Sequence, residues 1–252
     1  MKPYIHFAHI YDHLMAHVEY DQWLIFMENV FKERKVQVSK VLDVGCGTGE
    51  LMLRMHQAGF VTTGLDISED MLAIAHQKLE AAHIQPQLFQ EDMSQFSLPE
   101  NYDAITIFCD SLNYLEKEED VKRVFSRCYN ALHKNGILLF DVHSPFKIQQ
   151  FYQATFADEQ DGVAYMWHSF AGEEPLSVEH ELTFFIETEN GLYERVEELH
   201  KERTFDVATY TKWLKEAGFT DIRITGDFNQ FELHDQTERI FFSAQKKQEM
   251  SN

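Results

Sequence analysis

Three glycines alternate with other residues in the segment Val41–Glu50, which reads VLDVGCGTGE. Gly45, Gly47 and Gly49 follow an apolar run and precede an amphipathic one, so the pattern predicts a loop between a strand and a helix. A single glycine there could serve only as a tight turn. Three alternating glycines instead favour a loop whose backbone closely approaches a ligand at the start of the helix.

The residues around this loop restrict the kind of ligand. A dinucleotide fingerprint has a glycine where Glu50 stands, and a carboxylate in the first helical turn would repel a pyrophosphate. A phosphate loop of the NTPase type needs a lysine, which this segment lacks. A cationic ligand without phosphates fits better, and S-adenosylmethionine (SAM) carries both a sulfonium and an ammonium group. The carboxylates of Asp43 and Glu50 would then favour binding.

Further acidic positions suit the same ligand. Asp66 stands 21 positions after Gly45, at the end of a second predicted strand, where a carboxylate can accept both hydroxyl protons of a ribose. The alternative is an Asp that only begins a helix, but Ser68 already provides an N-cap. Asp92 and Met93 follow a third strand, where a carboxylate could accept from an adenine amino group while Met93 covers the ring.

Polar residues also follow the fourth and fifth predicted strands, the positions at which open α/β sheets bind ligands. They are Asp110, Ser111, Asn113, Tyr114 and His143. The usual chemistry of bound SAM is methyl transfer, which requires a positioned nucleophile, exclusion of water and, for a protonated nucleophile, a base. His143 and Asp110 are therefore the candidate catalytic residues. Each has a structural alternative: a hydrogen-bonded histidine at a strand end, and for Asp110 a helix cap or a contact to SAM.

The elements that hold these residues alternate between short apolar runs and helical patterns from residue 36 to about residue 143. This alternation is typical of a parallel sheet built from βα units. Strands are predicted at 36–44, 60–66, 87–91, 103–108 and 137–142, with helices at 50–58, after Ser68 and at 117–133. Helical periodicity returns at 206–217, and two strands follow at 220–226 and 239–244.

Residues 144–204 follow a different pattern and are expected to form an antiparallel β insertion. Long strands are predicted at Val163–Phe170, Ser177–Glu187 and Leu192–Arg203, with a hairpin at Asn190-Gly191. Trp167, His168 and Arg203 each face the acceptor pocket in one strand register and point away in the other. The helical pattern of Tyr4–Phe31 has no place inside the sheet and is expected to form a lid over its carboxyl edge. The predicted units are a helical lid at 1–35, a SAM-binding domain at 36–143 and 205–246, and the insertion at 144–204, which caps the acceptor side.

Taken together, these residues resemble the class I SAM-dependent methyltransferases. The resemblance covers residues 36–143 and 205–245 and rests on the glycine loop with Asp43, on Asp66, on Asp92-Met93 and on Phe108-Cys109-Asp110. More narrowly, the chain resembles the bacterial YqeM-type methyltransferases and shares the general layout of the glycine/sarcosine methyltransferase-like group. The segments that carry this narrower resemblance are Tyr11-Asp12, 110–115, 140–144 and the β insertion.

The resemblance implies a fold and a set of binding residues. The fold is α/β, a Rossmann-like sheet of seven strands whose last strand is antiparallel, and the cofactor is SAM, with S-adenosylhomocysteine as its product. The backbone at Cys109-Asp110 is expected to contact SAM, and the ring of Tyr11 to approach the sulfonium by a cation–π contact. The full expected set is Tyr11, Asp43, Gly45, Cys46, Gly47, Asp66, Ile67, Asp92, Met93 and Cys109.

Composition restricts the partners and the compartment. The formal charge of −20, from 22 Lys and Arg against 42 Asp and Glu, argues against binding nucleic acid through its phosphates. No apolar run approaches the roughly 18 residues of a membrane-spanning helix. The odd number of cysteines cannot pair fully and their spacing is not that of a zinc site, which indicates a reducing cytoplasm. They are Cys46, Cys109 and Cys128.

No metal site is predicted. His6, His9, His13 and His17 could line one helix face, but any polar stripe on a packed lid has the same spacing. The predicted function is methyl transfer from SAM to a small-molecule acceptor, with no membrane partner and an open oligomeric state, monomer or dimer. The alternatives are an RNA or protein methyltransferase, a non-catalytic regulator that binds SAM or S-adenosylhomocysteine, and, least favoured, a nicotinamide dehydrogenase.

Overall fold

The computed structural model describes residues 11–12, 15, 17–98, 102–160, 162–188, 190–228 and 232–247. Within them the helices are α1 (Asp21–Arg34), α2 (Glu50–Gln57), α3 (Glu69–Ala81), α4 (Glu118–Ala131), α5 (Pro145–Phe151) and α6 (Val207–Glu216). The strands are β1 (Lys40–Val44), β2 (Val61–Asp66), β3 (Gln87–Gln90), β4 (Tyr102–Ile107), β5 (Leu132–His143), β6 (Thr155–Gln160), β7 (Val163–Ala171), β8 (Ser177–Glu187), β9 (Tyr193–Arg203), β10 (Thr220–Gly226) and β11 (Arg239–Gln245). No helix in these ranges has the length and apolar character needed to cross a membrane.

Seven strands form one sheet in the order β10-β11-β5-β4-β1-β2-β3. The five strands from β5 to β3 in this order are parallel neighbours, whereas β11 pairs antiparallel with both β5 and β10. The central strands β1, β4 and β5 are buried along most of their length because helices cover both faces of the sheet. The Rossmann-like sheet with an antiparallel last strand, predicted from the sequence, is confirmed.

Two apolar clusters, one on each face of the sheet, hold the layers together. On one face, α1, α2 and α3 pack against the sheet through side chains such as Phe26 and Met52. On the other face, α4 and α6 do so through side chains such as Phe125 and Tyr210. The amphipathic stripe predicted for the helix at 117–133 is confirmed, since four of its apolar residues are fully buried: Val121, Val124, Phe125 and Cys128.

Strands β6–β9 form a separate antiparallel sheet that is inserted between β5 and α6 in the chain. In its register Trp167 lies opposite Leu182, and Leu182 lies opposite Glu198. Because side chains alternate along a strand, these residues share one face, which we call the inner face. It carries Tyr165, Trp167, Ser169, His180, Leu182, Phe184, Val196, Glu198, His200 and Glu202. Tyr11 and Met71 pack against its apolar part.

Three predicted boundaries differ from the structure by four residues or more. The strand predicted at 36–44 begins at Lys40. The helix predicted at 4–31 lies partly outside the described residues, and the described helix α1 runs from Asp21 to Arg34, because turns occupy the residues just before it. Strand β5 begins at Leu132, five residues before the strand predicted at 137–142, so Asn135-Gly136 lies inside it. Asn135 keeps the left-handed backbone of a turn, with φ of +67°, and the pairing of β4 with β5 is irregular there.

Helix α5 and strand β6 are not anticipated by the hydrophobic pattern. Both are short and follow directly after β5, where a single long insertion was expected. A capping signal was present, because the Ser144 side chain accepts the Lys147 N–H at 3.0 Å and Pro145 occupies the first helical turn. The helix therefore follows from local chemistry rather than from apolar periodicity.

Candidate active site

The glycine loop joins β1 to α2 and is held by the end of β2. The Gly45 N–H donates to the Leu65 carbonyl oxygen at 2.7 Å. Asp66 accepts the Gly47 N–H through Oδ2 at 2.8 Å and the Ser68 N–H through Oδ1 at 2.9 Å. A carboxylate oxygen has two lone pairs, so Asp66 can position the loop and still accept from a further donor.

Two of the three loop glycines are required by packing as well as by backbone conformation. Gly45, Gly47 and Gly49 have φ of +75°, +53° and +75°. A Cβ at Gly45 would lie 2.8 Å from the Ser111 Cβ, and one at Gly49 would lie 3.0 Å from the Ala75 Cβ. A Cβ at Gly47 would meet no atom of the described residues within 4 Å. The open side of the loop is therefore at Gly47.

Asp43 and Cys46 support the loop from beneath, and both are buried. The Thr106 hydroxyl donates to Asp43 Oδ1 at 2.7 Å, and burial raises the pKa of Asp43 to about 7. The Cys46 sulfur fills the space beside Gly64, where a Cβ would lie 2.8 Å from it. Both residues thus shape the loop, and their contact with SAM stays a prediction.

Glu50 does not present an unpaired charge to a ligand. Its carboxylate forms ion pairs with Arg54 at 2.9 Å and with Lys78 at 3.0 Å. Lys78 also pairs with Asp12 at 2.7 Å, and the Thr48 hydroxyl donates to Asp12 at 2.5 Å. Asp12 is therefore bound to both the glycine loop and Lys78.

Ile67, Asp92 and Met93 follow the neighbouring strands β2 and β3. Asp92 accepts the Ser94 N–H at 2.7 Å, so its carboxylate closes the turn after β3. The Met93 Cε lies 3.5 Å from the position of a Cβ on Gly45, and Ile67 is 69% exposed. Apolar side chains thus lie beside the glycine loop, where they can cover a planar ring.

The turn after β4 has an unusual backbone that Asp141 holds in place. Cys109 and Asp110 both have φ of +54°, a left-handed backbone conformation that residues other than glycine rarely adopt. Their N–H groups donate to the two carboxylate oxygens of Asp141 at 3.0 and 3.1 Å. Asp141 also accepts from the Trp23 indole at 2.8 Å and pairs with Arg239. Because both turn N–H groups are occupied, a ligand would meet other atoms of Cys109 and Asp110.

A polar cluster lies beyond this turn, between the parallel sheet and the insertion. His143 Nε2 is 3.6 Å from Asp110 Oδ2 and 3.6 Å from Glu202 Oε2. Arg239 pairs with the other oxygen of Asp110 at 2.8 Å, and His180 Nε2 lies 3.8 Å from the other oxygen of Glu202. The cluster therefore brings together residues from the turn after β4 and from β5, β8, β9 and β11.

Burial sets the protonation of this cluster. It lowers the pKa of His143 to about 4, so the imidazole is neutral near pH 7. It raises the pKa of Glu202, and the nearby Asp110 charge raises it further. Burial also opposes ionisation of Asp110, yet His143 and Arg239 hold the pKa of Asp110 below its ordinary value. The cluster thus combines a neutral imidazole with two carboxyl groups, one whose pKa is raised (Glu202) and one whose pKa is lowered (Asp110).

Asn113 and Thr204 fix the insertion against β5. The Asn113 side chain accepts the His143 N–H at 2.9 Å and donates to the Arg203 carbonyl oxygen at 2.8 Å. The Thr204 hydroxyl donates to the His143 carbonyl oxygen at 2.6 Å. These bonds place the end of β9, and with it Glu202, next to His143.

Comparison with known proteins identifies the family. A family model described as a methyltransferase domain matches residues 41–136. YqeM of Bacillus subtilis (strain 168), named as a candidate methyltransferase, is 46% identical over 244 residues, which cover 95% of this chain and 96% of YqeM. A protein of Geobacillus sp. (strain WCH70) with the same description is 45% identical over 245 residues, 96% of this chain and 99% of its own. The chain belongs to this methyltransferase family.

Solved structures agree with the family assignment. A SAM-dependent methyltransferase from Clostridium acetobutylicum ATCC 824 matches the YqeM-family chain with a TM-score of 0.87 and 29% identity, covering 98% of this chain and 100% of its own. The sugar N-methyltransferase KedS8 from Streptoalloteichus sp ATCC 53650 matches with a TM-score of 0.77 and 21% identity, covering 94% and 91%. The fold is that of the SAM-dependent methyltransferases.

The remaining residues that the sequence suggested for this methyltransferase lie in different parts of the structure. Trp167 lies on the inner face of the insertion, whereas His168 and Arg203 lie on the opposite face. Tyr11 packs against the apolar part of the insertion, and burial raises the pKa of its phenol. His17 is exposed. The other three histidines of the stripe, His6, His9 and His13, lie outside the described residues.

The sequence analysis did not identify three residues of the polar cluster, His180, Glu202 and Arg239, or Asp141, which holds the turn beside it. Asp141 and Arg239 stood in predicted strands, but nothing in the sequence paired them. Asp110, His143 and Glu202 form the one group among the described residues whose donor atoms, all within 4.8 Å of one another, could hold a metal ion. The expectation of no metal therefore stays a prediction.

Proposed function

We propose that this methyltransferase transfers a methyl group from SAM to a small-molecule acceptor in the cytoplasm. The observation that carries the proposal is the pairing of the open glycine loop at Gly47 with the Asp66 carboxylate beside it. The fold of a SAM-dependent methyltransferase, matched over 98% of the chain, supports it. The three cysteines are unpaired, in keeping with a reducing compartment.

The residues of the loop edge fit SAM. Asp66 would accept from the ribose hydroxyls, and Asp92 would lie near the adenine amino group. Ile67 and Met93 would cover the two faces of the ring, and Tyr11 would lie toward the sulfonium. When bound, SAM supplies a methyl group on a positively charged sulfur. Residues 1–35 would serve as the lid, 36–143 and 205–246 as the cofactor domain and 144–204 as the acceptor cap.

On the acceptor side, His143 and Asp110 take different roles. Asp110 is held ionised by Arg239, so it is a weak base and suits orientation of the acceptor. His143 is neutral and points its Nε2 into the same space, so it can accept a proton as the nucleophile reacts. An imidazolium there would be stabilised by the carboxylates 3.6 Å away.

Several observations favour a small acceptor over RNA or protein. The candidate residues His143 and Glu202 are buried, with exposures of 7% and 6%, and so suit a ligand that enters an enclosed site. The net charge of −20 disfavours a polyanion. KedS8, whose fold this chain shares, is named as a sugar N-methyltransferase, and a sugar is a small-molecule acceptor. Transfer to a macromolecule, or binding of SAM without turnover, are the competing outcomes.

Calorimetric titration with SAM, S-adenosylhomocysteine and NAD tests the cofactor. We expect SAM and S-adenosylhomocysteine to bind and NAD not to bind. Asp66→Ala should weaken SAM binding by about 1.5 kcal/mol or more, about tenfold, because two hydroxyls lose a charged partner. Asp70→Ala, in the first turn of the following helix, is the matched control and should bind normally. Tight NAD binding without SAM binding would refute the proposal.

A further inference from the structure

Asp110 and Glu202, the two carboxylates nearest His143, each direct one oxygen at His143 Nε2. Asp110 Oδ1 is held by Arg239, which leaves Oδ2 facing His143. Glu202 Oε1 lies toward His180, and Glu202 Oε2 has no hydrogen-bond partner among the described residues although the side chain is only 7% exposed. A buried carboxylate oxygen without a partner is costly, so this one is expected to bind a ligand.

The protonation of His180 is fixed by its neighbours. The Trp167 indole N–H donates to His180 Nδ1 at 3.0 Å, and the Ser169 hydroxyl lies 2.7 Å from the same nitrogen. Nδ1 therefore carries no hydrogen, and in the neutral ring the hydrogen is on Nε2, directed at Glu202. His180 thus presents an N–H toward Glu202 Oε1, 3.8 Å away, and leaves the Oε2 atom available.

The charge of the cluster calls for a cation. The carboxylates of Asp110 and Asp141 pair with the one guanidinium, that of Arg239, whereas burial raises the pKa of Glu202 and favours its neutral form. The other charged groups that act on His143, Lys147 and Glu238, pair with each other at 2.6 Å and offset one another. Ionising Glu202 therefore adds an uncompensated negative charge, which a positively charged ligand would balance.

Geometry and charge together favour an ammonium group over a metal ion. The three donor atoms lie within 4.8 Å of one another, so a single nitrogen can reach all three at about 2.8–3.0 Å. A protonated amine offers several N–H donors, which match two carboxylate oxygens and an imidazole nitrogen. A divalent ion would carry twice the charge of an ammonium group near the Arg239 guanidinium that already pairs with Asp110, so its repulsion from that guanidinium would be about twice as large.

We propose that Asp110, His143 and Glu202 bind the acceptor as a protonated amine, so that the methyl group is transferred to nitrogen. The inference rests on the proposed function and names the substrate class of the same site. The bound ammonium gives one proton to His143 Nε2, and its lone pair then forms the C–N bond. The C–S bond of the donor breaks with its electron pair kept by sulfur. The products are an N-methylammonium, S-adenosylhomocysteine and the proton on His143, which passes to solvent.

The test uses SAM labelled with carbon-13 in the methyl group and a protein-free metabolite extract of Bacillus subtilis, the source of YqeM. Proton–carbon NMR distinguishes N-methyl from O-, S- and C-methyl products by chemical shift. We expect a new N-methyl signal that grows with enzyme. A new O-, S- or C-methyl signal would overturn the amine assignment alone. Absence of any new methyl signal, with SAM binding intact, would overturn the proposed small-molecule transfer itself.

Two matched variants assign the signal to this site. Glu202→Gln keeps the shape and removes the charge, and it should slow N-methylation by about 10- to 100-fold while SAM affinity is unchanged. Glu197→Gln makes the same change on the opposite face of the same strand, where the residue is exposed, and should leave the rate unchanged. Equal rates in both variants would overturn the proposal. Loss of activity with EDTA, restored by Mn²⁺, would overturn it in favour of a metal site.

Discussion

Replacing Asp141 by asparagine removes one charge and one acceptor atom from the centre of the site while leaving the shape of the side chain almost unchanged. Asp141 is fully buried and accepts from the N–H groups of Cys109 and Asp110, from the Trp23 indole and from Arg239. Asparagine has a single acceptor oxygen, and its NH₂ group would face donors. At least one of these four donors must therefore lose its partner.

The expected loss is large relative to the stability of the protein. Breaking a buried ion pair by removing one charge costs about 3–5 kcal/mol. The turn that Asp141 holds contains two left-handed residues, each of which costs of the order of 1–3 kcal/mol to maintain. Since a native domain is stable by only about 5–15 kcal/mol, we expect Asp141→Asn to lower the free energy of unfolding by about 3 kcal/mol. The released turn should also weaken SAM binding, by about tenfold.

Urea unfolding at equilibrium measures the stability, and calorimetry at a temperature where the variant is folded measures SAM affinity. Asp103→Asn is the matched control. Asp103 Oδ2 also accepts two backbone N–H groups, those of Ser39 and Lys40 at 2.9 Å, but at the opposite edge of the sheet and in contact with solvent. It should lose about 1 kcal/mol and bind SAM normally. Similar small losses in both variants, with SAM affinity retained, would refute the role given to Asp141.

Two further predictions concern stability. Burial lowers the pKa of His143 to about 4, below the value of about 6.5 for an unfolded histidine, so protonation favours the unfolded chain. This stabilisation is present above pH 6.5 and is lost as the pH falls toward 4. Over that range the free energy of unfolding of the wild type should therefore fall by up to about 3 kcal/mol more than that of His143→Gln. The same pH dependence of the unfolding free energy in both proteins, measured by urea unfolding, would contradict this. Gly45→Ala should lose about 1–3 kcal/mol more than Gly47→Ala, because only a Cβ at Gly45 meets Ser111. Equal losses in urea melts would contradict that reasoning.

The sequence by itself determined the parts of this methyltransferase that depend on local order. Apolar periodicity located the strands of the parallel sheet and the apolar stripe of α4, because the side chains that an element buries recur at its own structural period. The three glycines located the loop between β1 and α2, because only a few residue types tolerate its positive φ values. Asp110 and His143 followed from the rule that ligands bind at the carboxyl ends of the strands, and the structure brings them to 3.6 Å.

Only the tertiary structure decided which distant residues complete the site. Glu202 belongs to it because the register of β8 with β9 turns its side chain to the inner face, and a shift of one residue would have turned it to the outer face. Asp141 and Arg239 meet because β11 returns antiparallel beside β5, a pairing across about a hundred residues that no local pattern encodes. The charge state of the cluster was likewise decided by burial, which depends on the packing of the whole chain.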